Sequence, residues 1–209
     1  MQSIIALSKI ETNPLSDGVA LCADMAAIKI LGIILESLLL PFINISLSLQ
    51  QQIELISCYC HLTFALFRMH RTAFMPHVLF YDTQSMSKNI CFCVAKQQKL
   101  DGRQKFWIIQ MGDNDLEELF GIMRMKGGHN SAMNYSQALD RIGAAKDIDA
   151  VFKKHPELNP GSCHLKLTSV EGLDHICPDL WCGDIIASHC NLPSAWIAGH
   201  NKAIAALMY

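Results

Sequence analysis

The chain has 209 residues, 51% of them apolar and 17% charged, with a formal net charge of -2. That length suits one ordinary domain with a real core. The composition excludes a disordered chain, and the charge excludes a general pull toward nucleic acid, so any DNA contact must come from a local patch.

Nine cysteines are present. No Lys/Arg-headed leader with a small-residue cleavage site accompanies them, so they read as reduced thiols of an intracellular protein.

The most apolar stretch is AAIKILGIILESLLLPFINISLSL, from Ala26 to Leu49. Its length would suit a membrane span, but Lys29 and Glu36 lie inside it, each costing about 2.5 to 3.5 kcal/mol in a bilayer centre. With Pro41 interrupting the run, it reads as a buried helix followed by a short apolar strand. The run QQQIELISCYCHLTFALFRMHR, from Gln50 to Arg71, places Ile53, Ile56, Cys60, Phe64 and Phe67 on one stripe, the signature of an amphipathic helix that ends before Pro76. A second helix is expected over Thr83 to Gln98, with Asp82 as N-cap and Met86, Ile90, Val94 and Gln97 in phase. Cys91 and Cys93 point in different directions on it and read as core.

After the turn signal Asp101-Gly102, the run FWIIQM from Phe106 to Met111 reads as a buried strand. It leads into DNDLEELFGIMRMKGGHN, residues 113 to 130. Asn114 with Glu117 three residues on has the form of a capping box, which would tie that carboxylate to a backbone N–H. Leu116, Leu119, Phe120 and Met123 form the expected buried stripe, whereas Glu117, Gly121, Arg124 and Gly128 fall on another face. Gly121 inside a helix costs about 0.5 to 1 kcal/mol, which suggests a close approach by another group. Gly127 and Gly128 read as the helix stop, with His129 and Asn130 at the mouth of the turn.

The pattern Leu-Glu, two residues, Phe-Gly, two residues, Arg, two residues, Gly-Gly, one residue, Asn resembles the final catalytic segment of P-element-type transposases. The preceding SMSKNICFCVAKQQKLDGRQKFWIIQM also resembles the helix and strand that lead into it, and the likeness covers roughly residues 80 to 145. By that resemblance Glu117 is the last catalytic carboxylate and a ligand of Mg²⁺ or Mn²⁺, DNA is the partner, and the nucleus the location. Such chemistry uses two metal ions about 3.5 to 4 Å apart, held by several converging carboxylates. Arg124, Lys126, His129 and Asn130 are the candidate DNA contacts, with Arg68, His70 and Arg71 as further basic residues; a solvated face is the plainer reading of Arg124 and Lys126. The family often has aspartate where this chain has Asn114. Its two strand-borne aspartates also have no counterpart here, since Asp17, Asp24 and Asp82 do not match. One carboxylate of three predicts weak metal binding and no strand transfer by this chain alone.

Farther on, SQALDRIGAAKDIDAVFKKHPEL reads as two short helices, the second capped by Asp147, supported by an Asp149–Lys153 pair and stopped before Pro156. From Asn159 the chain reads as irregular, with Pro160, Pro178 and Pro193 breaking any long element. It holds Cys163, His164, His175, Cys177, Cys182, His189 and Cys190, but no CxxC knuckle, so the spacing speaks against zinc.

The sequence therefore predicts a mainly α chain with a minor β component, made of an incomplete RNase H-like portion plus helical segments. Residues 1–75 read as an apolar helical segment, the remnant of a helical insertion, 76–158 as the RNase H-like C-terminal portion, and 159–209 as an irregular Cys/His-containing tail. The expected function is that of a transposase-derived, catalytically incomplete fragment. The alternatives are a non-catalytic helical module that meets a protein partner through its apolar N-terminal segment, and a membrane-anchored protein. Nothing in the sequence points to a small-molecule substrate.

Overall fold

The computed structural model describes residues 1–11, 18–112, 120, 121, 123, 134–158 and 180–208. The chain is mainly α. It divides into two compact units, Met1–Ile109 with His175–Tyr209, and Gln110–Asp174, so the expected boundary at residue 75 falls inside one unit.

The first unit is built around α3 (Leu49–His70), which packs against α2 (Val19–Ile43), α4 (His77–Asp101) and α6 (Leu192–Leu207); α1 (Gln2–Ser8) lies on α2. The start of α3 is set by a capping box: Ser48 Oγ accepts from the Gln51 N–H at 3.3 Å, and Gln51 Oε1 accepts from the Ser48 N–H at 2.9 Å. Of the expected stripe, Ile53, Ile56, Cys60 and Phe67 are buried, whereas Phe64 is at the surface. Cys58, Tyr59, Leu62 and Thr63 are buried as well, because the helix is covered on more than one face. Its buried hydroxyls are satisfied, Ser57 Oγ donating to the Trp196 carbonyl at 2.6 Å and Thr63 Oγ1 to the Tyr59 carbonyl at 2.7 Å.

In the first unit four expectations need correction. α2 does not end at Pro41 with a strand after it; it continues to Ile43. Pro41 lies in the last turn, so the one helical hydrogen bond its missing N–H removes, to the Ser37 carbonyl, has almost no helix beyond it to disrupt, and its ring is fully buried. α4 begins after Pro76 and not at Thr83, so Asp82 lies inside the helix; the earlier start is anchored by Phe80, whose ring stacks on Phe67 at 3.9 Å between centroids. Ile90 and Val94 are buried as the phase required, and Met86 is at the surface.

The run Phe106 to Met111 is not a strand. Lys105 makes one isolated antiparallel bridge with Ile186, and Ile108–Met111 forms a 3₁₀ turn. Its pairing partner is the short segment before α6: the Phe106 N–H donates to the Ile185 carbonyl at 2.8 Å, and the Ala187 N–H to the Gln104 carbonyl at 3.1 Å. Ile108 is buried in a core cluster with Ile53, Ile90 and Val94, and apolar patterning alone cannot distinguish that outcome from a strand.

The fourth correction concerns the C-terminal tail. Residues 192–207 form a regular helix inside the core of the first unit. Asn191 caps it through the Ser194 N–H at 3.0 Å, and Pro193 occupies its first turn, where the absent N–H is not needed. Ala195, Gly199, Ala203 and Ala206 are all buried and share one face, which lets α6 lie close against α3.

In the second unit α5 (Tyr135–Lys154) is one continuous helix instead of two short ones, so Asp147 lies inside it. Its cap is Asn134, whose Oδ1 accepts from the Gln137 N–H at 2.9 Å. Ala145 and Met123 are buried, and Arg141 Nη1 reaches the Met123 carbonyl at 3.4 Å. The Asp149 and Lys153 side chains lie outside the described residues.

Candidate functional site

Glu117, Arg124, Lys126, His129 and Asn130 all lie outside the described residues. From the same segment Met123 is buried as expected, whereas Phe120 is half exposed. A β-carbon added at Gly121 would meet nothing within 4 Å, so the close approach expected there is absent among the described residues. Arg68, His70 and Arg71 are exposed at the end of α3.

Cys163, His164, His175 and Cys177 likewise fall outside the described residues. Of the remaining thiols and imidazoles of that tail, Cys190 is buried, Cys182 is exposed, and His189 Nδ1 pairs with Asp184 Oδ2 at 2.8 Å. The His189 hydrogen bond, seconded by the Ile186 N–H, holds the Asp184 carboxyl below its ordinary value. Burial pushes the Cys190 thiol up to about 11, and also Cys91, whose neighbours Cys60 and Cys190 act in the same direction. These thiols are protonated at neutral pH and therefore poor nucleophiles and poor ligands. No group of three or more His, Cys, Asp or Glu side chains among the described residues could hold a metal ion.

Two other features stand out in the first unit. The first is α2 itself. Over Leu21–Ile43 its mean hydropathy is 2.1, yet only 22% of its most apolar window is buried, with Leu21 and Leu31 50% and 41% exposed. By length and composition it is the described helix able to cross a membrane. On the side facing α1, a cavity of about 450 Å³ is walled by Ala26, Ile30, Ile33 and Ala206, and Ser8, Cys22, Lys29 and the Lys9–Glu36 ion pair (3.0 Å) also line it. Gly32 makes this arrangement possible, because Ser8 of α1 occupies the place of its missing side chain.

The second is a ring cluster between α3 and α6. His61 meets Trp196 edge-on at 5.2 Å and His200 at 4.6 Å between centroids. Burial, and secondarily His200, lower the His61 pKa, so this imidazole is neutral at physiological pH. Trp196 and His200 stand four residues apart on one helix face, a signal that is lost when residues beyond 159 are read as irregular.

No family model matches the chain, and no curated protein or solved structure is significantly similar to it.

Proposed function

We propose that this chain is a transposase-derived helical protein without catalysis of its own, which works by holding a partner protein against the apolar outer face of α2. The incompletely covered α2, with Leu21 and Leu31 exposed on a helix of mean hydropathy 2.1, carries the interaction half of this reading. An exposed apolar surface of that kind is costly in water and usually marks an interface. The transposase half rests on the segment Leu116 to Asn130 and on its single matching carboxylate, Glu117. An incomplete RNase H-like portion over 76–158 belongs to that half, and with it Mg²⁺ or Mn²⁺ and DNA as ancestral ligands and the nucleus as the location.

The test is site-specific photo-crosslinking in cells from a benzophenone side chain at position 31. A crosslink to a defined polypeptide, lost in Leu21→Glu, is the expected result. Crosslinks to lipid alone would favour a second reading, a membrane anchor, which the length and hydropathy of α2 also support. Lys29 and Glu36 weigh against that reading, since both would enter the bilayer.

A further inference from the structure

We propose that the cavity between α1 and α2 binds a free, single-chain alkyl carboxylate, with Lys29 holding the carboxylate and the chain lying along the apolar wall of α2. This goes beyond the interaction reading and uses the opposite side of the helix.

The charge at the cavity identifies the head group. Three charged side chains line it, and two of them, Lys9 and Glu36, neutralise each other at 3.0 Å. Lys29 is left over. It is half-buried, and among the described residues it makes no hydrogen bond or ion pair. A lone cation beside an apolar cavity attracts one negative charge. A cationic head group would be repelled, and a neutral one would leave the ammonium uncompensated.

The wall identifies the tail. Ala26, Ile30 and Ile33 lie with Lys29 along the face of α2 that meets α1, at helical spacings of three and four, and Ala206 of α6 closes the far side. These side chains offer contact to methylene groups; Ser8 and Cys22 complete the lining, and the Ser8 hydroxyl already donates to the Ile5 carbonyl at 2.7 Å. The volume of about 450 Å³ lies in the lower half of the range for ligand pockets, roughly 300 to 1,000 Å³. It suits one chain of moderate length and is too small for a two-tailed lipid.

Isothermal titration with sodium decanoate below its micellar concentration tests the site, with 1-decanol and decyltrimethylammonium as neutral and cationic probes. The wild-type chain is expected to bind decanoate saturably at one site and decyltrimethylammonium at least about tenfold more weakly. Lys29→Gln is expected to lose about tenfold for decanoate, the usual scale for a hydrogen-bonded charge, and to leave 1-decanol unchanged. Lys29→Arg, which keeps the charge, should retain decanoate binding, and Ala26→Leu, which fills the cavity, should lose both decanoate and 1-decanol. Circular dichroism of each variant verifies that it is folded. The proposal is overturned if decanoate does not saturate, if folded Lys29→Gln binds it like the wild type, or if the cationic probe binds as tightly. Loss of the position 31 crosslink would leave this result untouched, so the two readings fail separately.

Discussion

Gly199 of α6 lies so close to the Glu54 carbonyl of α3 that a β-carbon there would collide with it. Around this point Ser57 donates to the Trp196 carbonyl at 2.6 Å and Lys202 pairs with Glu54 at 2.6 Å, so the two helices are fixed at their closest approach. Gly199→Ala should therefore destabilise the first unit by about 1 to 2 kcal/mol. Overpacking costs about 1 to 3 kcal/mol, and removal of a helical glycine returns about 0.5 to 1. Gly143 of α5 is the control, because a β-carbon there meets nothing within 4 Å. Gly143→Ala should stabilise its own unit by about 0.5 to 1 kcal/mol in urea unfolding. Equal signs for the two substitutions would refute the close-packed contact.

Arg71, at the end of α3, has φ 52° and ψ -130° and is the non-glycine residue with positive φ among the described residues. That conformation costs a β-carbon-bearing residue about 1 to 3 kcal/mol. Arg71→Gly should raise stability by about 1 kcal/mol after the larger chain entropy of glycine is subtracted. Arg71→Ala, which retains the β-carbon, should bring no such gain. Thermal unfolding of the two variants side by side decides between backbone strain and loss of charge.

His61 has a folded pKa below its ordinary value of 6.5. The unfolded chain therefore takes up a proton before the folded one does, and the sign follows from linkage. Its contribution to stability is fully present above about pH 6.5 and is lost as the pH falls from there through the lowered folded value. Urea midpoints of the first unit should be flat from pH 8 to 7 and decline as the pH falls below about 6.5. His61→Gln should flatten that decline. An unchanged slope in the variant would assign it to other groups.

Under the proposed transposase relation, Glu117 is the one carboxylate that matches the motif, and a metal titration tests that role. Titration of Mn²⁺ should show weak binding to the wild type and none to Glu117→Ala, since one carboxylate without its partners cannot hold a pair of hydrated divalent ions. Identical titrations would remove the metal role from the proposal.

The candidate sites were legible to different degrees. Lys29 and Glu36 stand out as charges seven residues apart within an apolar run, and helical spacing alone puts them on one side of α2. The cavity they share with α1 was not visible, because it depends on Ser8 fitting against Gly32 across a break in the helices. His61 gives no signal of its own; only the crossing of α3 and α6 brings His200 and Trp196 to it.

By itself the sequence determined the mainly helical class, the position and buried stripe of α3, the phase of Ile90 and Val94 in α4, and the apolar character of the N-terminal segment. These follow from the spacing of side chains along one helix, which is a local property. Tertiary structure alone decided that the Phe106 to Met111 run pairs only at its start and then turns, that α2 runs on through Pro41, and that residues 192–207 belong to the core. Each of those outcomes depends on what is available to cover a segment. A short segment with a single bridge partner cannot extend a ladder, a buried proline in a last turn breaks little, and a face of alanines and glycine becomes core only when another helix comes near enough to touch it.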